Sequence, residues 1–77
     1  MTVRERVVQV LVDELDLDQE KMVDEATLED VLGTDSLDAV EAAIVLEREF
    51  DIDISADEAE KVRTVGDLVA LVTGKVA

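Results

Sequence analysis

The chain has 77 residues, of which 48% are apolar, and its 21 acidic and 7 basic residues give a net charge of −14. This apolar content is unlike that of a disordered chain, and the charge disfavours nucleic acid and anionic membranes as ligands. Histidine and cysteine are both absent. The chain alone therefore cannot form a Ser–His or Cys–His catalytic pair, a disulfide or a soft metal site.

The length predicts one domain over residues 1–77. Its first residues mix apolar and charged positions, with no signal-peptide apolar block, and no run of 18 apolar residues occurs in the chain. We therefore expect a cytoplasmic monomer that does not insert into a membrane. So strong a negative charge should steer basic protein surfaces towards it.

Helix-start signals recur along the chain, each a Thr, Ser or Asp followed three residues later by an acid: Thr2 with Glu5, Thr27 with Asp30, Asp35 with Asp38, Ser55 with Glu58, and Thr64 with Asp67. Together with apolar residues at helical spacing, they predict an all-α fold, a small four-helix bundle of three longer helices and one short helix. The predicted elements begin with a helix at 3–15, a mostly polar connection at 16–25 and a single turn at 27–32 stopped by Gly33. A long helix at 36–50 and an extended link at 51–54 follow. The last two elements are a short helix from 55 to about 62 and a helix from 65 to about 73 ended by Gly74.

The long helix at 36–50 separates its apolar residues into two stripes at 100° per residue. One stripe is predicted to be core and consists of Ala39, Ala43, Leu46 and Phe50. The other lies among charged residues, which is typical of a docking surface unless a short neighbouring helix covers it. The predicted docking residues are Leu37, Asp38, Val40, Glu41, Ile44, Glu47 and Arg48.

Ser36 is the candidate chemical site, at the start of this helix and just after Gly33-Thr34-Asp35. An anionic group attached there would face the unpaired N–H groups and the positive end of the helix dipole. On spacing alone, the alternative is that Ser36 is only a helix cap. With no histidine or cysteine in the chain, another protein would have to perform any chemistry on Ser36.

Three segments together resemble a bacterial acyl carrier protein: residues 33–40, 46–51 and 56–65. The resemblance covers essentially the whole chain and includes the tripeptide Asp35-Ser36-Leu37. It implies that Ser36 carries a 4′-phosphopantetheine arm, with Asp35 and Leu37 as neighbours in the motif. A phosphopantetheinyl transferase would attach the arm from coenzyme A, and acyl groups would be held as thioesters on its terminal thiol.

The resemblance also implies a non-catalytic carrier of fatty-acid biosynthesis. Its partners would be the transferase and ketoacyl synthases, reductases, dehydratases and acyltransferases with basic docking patches. An apolar cavity between the helices would shelter the acyl chain, with a plain core as the alternative. Periodicity supplies the candidates for core and cavity: Val7, Leu11, Ala39, Ala43, Leu46, Phe50, Ile54, Val62, Leu68 and Val72.

The chain departs from the usual pattern of this family at four positions. Arg48 stands where fatty-acid carriers commonly have an acid, so it weakens the negative field at the far end of the docking helix. Ala42 and Ala43 replace larger aliphatic residues, which either enlarges a cavity or thins the core. Ser55 stands where many relatives have proline, and its capping signal should preserve the helix start.

Other functions remain as alternatives. Within the carrier class these are a polyketide or secondary-metabolite carrier and an aminoacyl carrier of the D-alanyl type, and outside it an acidic interaction domain. Two acidic loops, opening at Asp16 and Asp51, mimic the start of an EF-hand but lack its glycine and terminal glutamate. A catalytic carboxylate pair needs a deep pocket that raises a pKa, and so small a chain has no evident pocket of this kind. We therefore predict no metal site and no catalytic residue.

Overall fold

The computed structural model describes the backbone of residues 2–32 and 36–76, and the side chains of 2–32 and 40–76. The described elements are α1 (Val3–Leu15), a 3-10 turn (Gln19–Lys21), α2 (Leu28–Leu32), α3 (Ser36–Phe50), α4 (Ala56–Lys61) and α5 (Val65–Val76). Outside the helices, one isolated antiparallel bridge joins Thr27 and Thr64. The all-α fold is confirmed, with three helices of 12 to 15 residues.

Four of the five predicted helix starts form their capping hydrogen bonds. The Glu5 N–H donates to the Thr2 hydroxyl at 3.1 Å, and the Glu58 N–H donates to the Ser55 hydroxyl, also at 3.1 Å. Equivalent bonds of 3.2 and 3.1 Å cap the helices that follow Thr27 and Thr64. The fifth predicted start, Asp35 with Asp38, lies outside the described residues. Local capping therefore fixes where most of these helices begin.

The core lies where α1 packs against both α3 and α5. Its buried apolar residues are Val7, Val8, Leu11, Met22, Ala42, Val45, Leu46, Val65, Leu68 and Val72. Half of the positions predicted from periodicity are among them: Val7, Leu11, Leu46, Leu68 and Val72. Three others pack against this core while staying partly exposed: Phe50, Ile54 and Val62. Ala39 lies outside the described side chains.

The buried face of α3 is rotated from the predicted one, and the assignment of Ala43 to the core was wrong. Ala42 and Val45 are 2% and 9% exposed, whereas Ala43 is only half-buried. The two adjacent alanines are alike in size and polarity, so the choice between them rests on the other apolar residues of the helix. Val45 decides the matter, because at 100° per residue it lies about 60° from Ala42 and about 160° from Ala43. The packed stripe of α3 is thus centred on Ala42, Val45 and Leu46.

Residues 16–25 are more ordered than the predicted polar connection. They contain the 3-10 turn, which the Asp18 carboxylate caps by accepting from the Glu20 N–H at 3.0 Å. Met22 follows the turn and is 4% exposed, so the connection contributes to the core. The three apolar residues of this stretch, Leu17, Met22 and Val23, follow no helical or strand period, which is why the sequence did not identify Met22.

The last helix continues to Val76, so the prediction that Gly74 ends it was wrong. An ion pair of 2.9 Å between Lys75 Nζ and Glu58 Oε2 ties the final turn to α4. Glycine is permitted inside a helix when neighbouring contacts stabilise the turn, even though it lowers helix propensity. Among the described helices, none combines the length and the apolar character needed to cross a bilayer.

Gly74→Ala should therefore raise the free energy of unfolding by about 0.5–1 kcal/mol, because alanine favours helix and lowers the entropy of the unfolded chain. A Cβ added at Gly74 would meet no heavy atom within 4 Å. Gly66→Ala, in the same helix, is the matched control, since its Cβ would lie 3.1 Å from the Asp24 carbonyl oxygen. Urea denaturation should show a gain for Gly74→Ala and a smaller gain or a loss for Gly66→Ala. Equal gains would contradict this description of the helix.

Candidate functional site

Ser36 is the first residue of α3, where the predicted long helix begins. The first N–H groups of a helix have no partner within it, and the helix dipole is positive at this end. A 15-residue helix therefore offers a favourable position for an anionic group attached at Ser36. The predicted neighbour Asp35, and the side chains of Ser36, Leu37, Asp38 and Ala39, lie outside the described residues.

Two large apolar side chains of α3 face away from the core. Val40 is 52% exposed and Ile44 is 46% exposed. The charged residues Glu41 and Arg48, predicted to surround them, are exposed as well. These four residues, Val40, Glu41, Ile44 and Arg48, form the outer face of α3. An exposed apolar pair among charges is the arrangement expected of a contact surface.

A groove of about 470 Å³ runs between α3 and α4, next to Val40 and Ile44. Its lining residues are Val40, Ala43, Ile44, Glu47, Ile54, Ser55, Ala56, Ala59 and Glu60. The short helix α4 thus forms the opposite wall of the groove, and it leaves about half of the Val40 and Ile44 side chains exposed. The sequence had left open whether a short helix covers this stripe.

Glu47 has a structural role that the sequence did not reveal. Its Oε2 atom accepts a hydrogen bond from the Ile54 N–H at 3.0 Å, and its carbonyl oxygen accepts one from the Ile52 N–H at 3.1 Å. Both bonds fold the connection after α3 back onto the helix. Asp51 makes this reversal possible, because its φ of 54° is in the left-handed region. One wall of the groove therefore depends on Glu47.

The C-terminal end of α3 is also held by Arg6 from α1. The Arg6 guanidinium carbon lies 4.5 Å from the centroid of the Phe50 ring, and Nη2 lies 3.6 Å from Glu49 Oε1. Nη2 also donates to the Glu49 carbonyl oxygen at 3.5 Å. A cation beside the last carbonyls complements the negative end of the helix dipole. The only aromatic ring of the chain thus packs beneath an arginine and is not fully buried in the core.

The helix α4 has no fully buried residue, so polar contacts are important for its position. A single carboxylate makes two of them. Glu58 Oε1 accepts from the Ser55 N–H at 3.0 Å, and Oε2 pairs with Lys75 Nζ at 2.9 Å. The Lys75 ammonium, followed by the Ser55 N–H, lowers the pKa of Glu58 to about 2. This carboxylate links the wall of the groove to α5.

The Glu58 contacts predict a specific pH dependence. Because the pKa falls from 4.5 in an unperturbed glutamate to about 2 in the folded chain, the contribution of Glu58 to stability is present above about pH 4.5 and is lost as the pH falls towards 2. Lys75→Met should lower the melting temperature at pH 7, and its difference from wild type should shrink at pH 2–3. Lys21→Met, at an exposed position outside these contacts, is the control. A Lys75→Met difference that stayed constant with pH would contradict the assignment.

The residues predicted to line an acyl cavity do not all lie together. Val7, Leu11, Leu46 and Val72 have no exposed surface and fill the core. Ala43 and Ile54 instead border the groove between α3 and α4. Among the residues that the structure describes, no group of three acidic side chains is placed to hold a metal ion. Because Val40 and Ile44 also line the groove, it is the apolar feature closest to the outer face of α3.

Comparisons with known proteins agree with this architecture. A family model described as a phosphopantetheine attachment site matches residues 5–72. The acyl carrier protein of Caulobacter vibrioides strain NA1000 is 48% identical over 73 residues, which are 95% of this chain and 94% of that protein. The acyl carrier protein of Buchnera aphidicola strain 5A is 44% identical, covering 95% and 91%. The crystal structure of the acyl carrier protein from Thermotoga maritima superposes with a TM-score of 0.81 at 29% identity, covering 97% of this chain and 92% of that one.

Proposed function

Because this chain belongs to the acyl carrier protein family, whose covalent cofactor is 4′-phosphopantetheine, we propose that Ser36 carries this arm and that the protein shuttles acyl intermediates of fatty-acid biosynthesis. The observation that carries the proposal is the match to a phosphopantetheine attachment site over residues 5–72, which include Ser36 at the first position of α3. The expectation of a cytoplasmic location stays a prediction.

The other hydroxyl groups of the described chain support the choice of Ser36. The chain has two serines, and the Ser55 hydroxyl accepts the capping hydrogen bond of α4. The threonine hydroxyls of Thr2, Thr27 and Thr64 accept the corresponding bonds of three other helices. Thr73 donates to the Val69 carbonyl oxygen at 2.7 Å. Modification of any of these hydroxyls would remove a hydrogen bond that stabilises a helix start or turn.

The role of this chain in the loading reaction is to present an oxygen nucleophile in a favourable field. Oγ of Ser36 would form a phosphate ester with the phosphopantetheine half of coenzyme A, as the pyrophosphate bond of coenzyme A breaks and adenosine 3′,5′-bisphosphate leaves. The start of α3 would stabilise the resulting phosphodiester anion. The arm supplies a terminal thiol on which acyl groups are held as thioesters. The proton of the hydroxyl would pass to a base of the transferase, the enzyme that performs the reaction.

The outer face of α3 is the proposed docking surface for the transferase and for the ketoacyl synthases, reductases, dehydratases and acyltransferases of the same synthesis. Val40 and Ile44 supply exposed apolar contact, and the net charge of −14 favours approach of basic patches. The groove beside these residues gives the proximal part of the arm an apolar surface. Docking and arm would thus share one side of the molecule.

Loading of the holo protein tests which cargo it carries. Incubation with malonyl coenzyme A and the malonyl transferase encoded in the same genome should add one malonyl group. Hydroxylamine at neutral pH should remove that group, because it cleaves thioesters. Intact mass spectrometry reads both steps, and the apo protein is the control. Loading by an amino-acid adenylating enzyme, with no malonyl group gained, would overturn the fatty-acid assignment and favour an aminoacyl carrier.

A further inference from the structure

The outer face of α3 carries an acid, Glu41, in the half nearer Ser36 and a base, Arg48, at its far end. At 100° per residue, its members Val40, Glu41, Ile44 and Arg48 fall within about 100° of each other around the helix. Glu41 lies towards the Ser36 end, and Arg48 lies seven residues further on, about 10.5 Å along the axis. All four side chains are exposed. Along the axis Glu41 lies between Val40 and Ile44, so a partner that covers this face would meet an acid among the apolar pair and then a base.

The acids on either side of Arg48 are engaged elsewhere. The Glu47 carboxylate accepts the Ile54 N–H at 3.0 Å and is half-buried. The Glu49 carboxylate lies 3.6 Å from Arg6 Nη2, on the side of α3 that faces α1. The Glu47 carboxylate is thus held by the connection after α3, and the Glu49 carboxylate lies beside the Arg6 cation.

Arg48 takes no part in the ion pairs found among the described side chains, which join Arg4 with Asp24, Arg6 with Glu49, and Lys75 with Glu58. Its guanidinium group is therefore available to a partner. A planar guanidinium that is not already paired forms strong, directional hydrogen bonds with a carboxylate. The far end of the outer face consequently presents a guanidinium group, with the half-buried Glu47 carboxylate beside it, although the whole chain carries a charge of −14.

We propose that the outer face of α3 fits a partner enzyme whose docking patch has a base opposite Glu41, an apolar side chain over Val40 and Ile44, and an acid opposite Arg48. This inference rests on the proposed function, because it takes the partner to be an enzyme that acts on Ser36 or its arm. Ser36 and Arg48 are twelve residues apart, about 18 Å along α3. An interface of about 800 Å² per partner is wide enough to cover both positions.

Charges of opposite sign about 10.5 Å apart along the axis fix the direction in which a partner lies along α3. A patch with bases at both ends would place one of them against Arg48, and this repulsion would weaken its binding. Arg48 therefore selects against partners that recognise only acidic carriers. The expected complement is the phosphopantetheinyl transferase encoded in the same genome, since every carrier of this kind has to meet its transferase.

Binding of that transferase to the apo protein, without coenzyme A so that no loading occurs, tests the proposal. Isothermal titration calorimetry should show that Arg48→Glu raises the dissociation constant about fivefold or more, with Arg48→Gln in between. Lys21→Glu is the matched control. It changes the net charge equally at an exposed position in the 3-10 turn, and should bind within about twofold of wild type. Circular dichroism would establish that all variants keep their helices.

The sign of the change in the dissociation constant decides the outcome. If the docking patch were basic throughout, Arg48→Glu would remove a repulsion and tighten binding. Tighter binding, a change equal to that of Lys21→Glu, or no binding by the wild-type chain would each overturn the proposal. A gain of mass when coenzyme A is added reads the carrier function separately. The docking proposal can therefore fail while Ser36 is still loaded.

Discussion

Leu46→Ala should lower the free energy of unfolding by about 2–5 kcal/mol. Leu46 has no exposed surface and lies in the core with Val7 and Leu11 of α1 and Val72 of α5. Truncation would remove transfer free energy and leave a cavity between helices that are already held by small side chains such as Ala42. A loss of this size is a large part of the total stability of a small domain, which is about 5–15 kcal/mol.

Ile44→Ala is the matched control for this change. It removes a similar side chain two residues away on the same helix, but Ile44 is 46% exposed. Its effect on stability should stay within about 1 kcal/mol. Urea denaturation followed by circular dichroism, at one fixed salt concentration because of the charge of −14, would measure both variants. Similar losses of unfolding free energy for the two variants would contradict the assignment of Leu46 to the buried face and Ile44 to the outer face of α3.

The limits of the helices could be predicted because they depend on neighbouring residues. Thr2 and Ser55 cap the helices that follow them, and Ser36 stands where the sequence placed the start of the long helix. The end of α5 could not be found in this way. Its last turn continues past Gly74 through the contact between Lys75 and Glu58, which are 17 residues apart in the chain.

The faces of the helices could be predicted only in part, because packing between helices decides them. The sequence placed Val40 and Ile44 on a partly polar side, and both are exposed. It chose Ala43 over Ala42 for the core, because the predicted stripe did not include Val45. The inward turn of Glu47 depends on the Ile54 N–H, seven residues later. A hydrogen bond of this kind leaves no periodic signal in the sequence.

Ser36→Ala should abolish attachment of the arm. Alanine has no oxygen nucleophile, and the hydroxyls of Ser55, Thr2, Thr27 and Thr64 are used as helix caps. The fold should be retained, since the change costs at most about 1–2 kcal/mol if the hydroxyl also caps α3. Ser55→Ala is the control with the opposite expectation, as it should weaken the start of α4 and still accept the arm.

The most direct test of the carrier assignment is the intact mass of the apo protein before and after incubation with coenzyme A and a phosphopantetheinyl transferase. We expect wild type and Ser55→Ala to gain one phosphopantetheinyl group each, and Ser36→Ala to gain none. No gain by the wild-type chain, with a transferase active on another carrier, would contradict the account and leave Ser36 as a helix cap in an acidic interaction domain. A gain by Ser36→Ala would place the arm on a different residue.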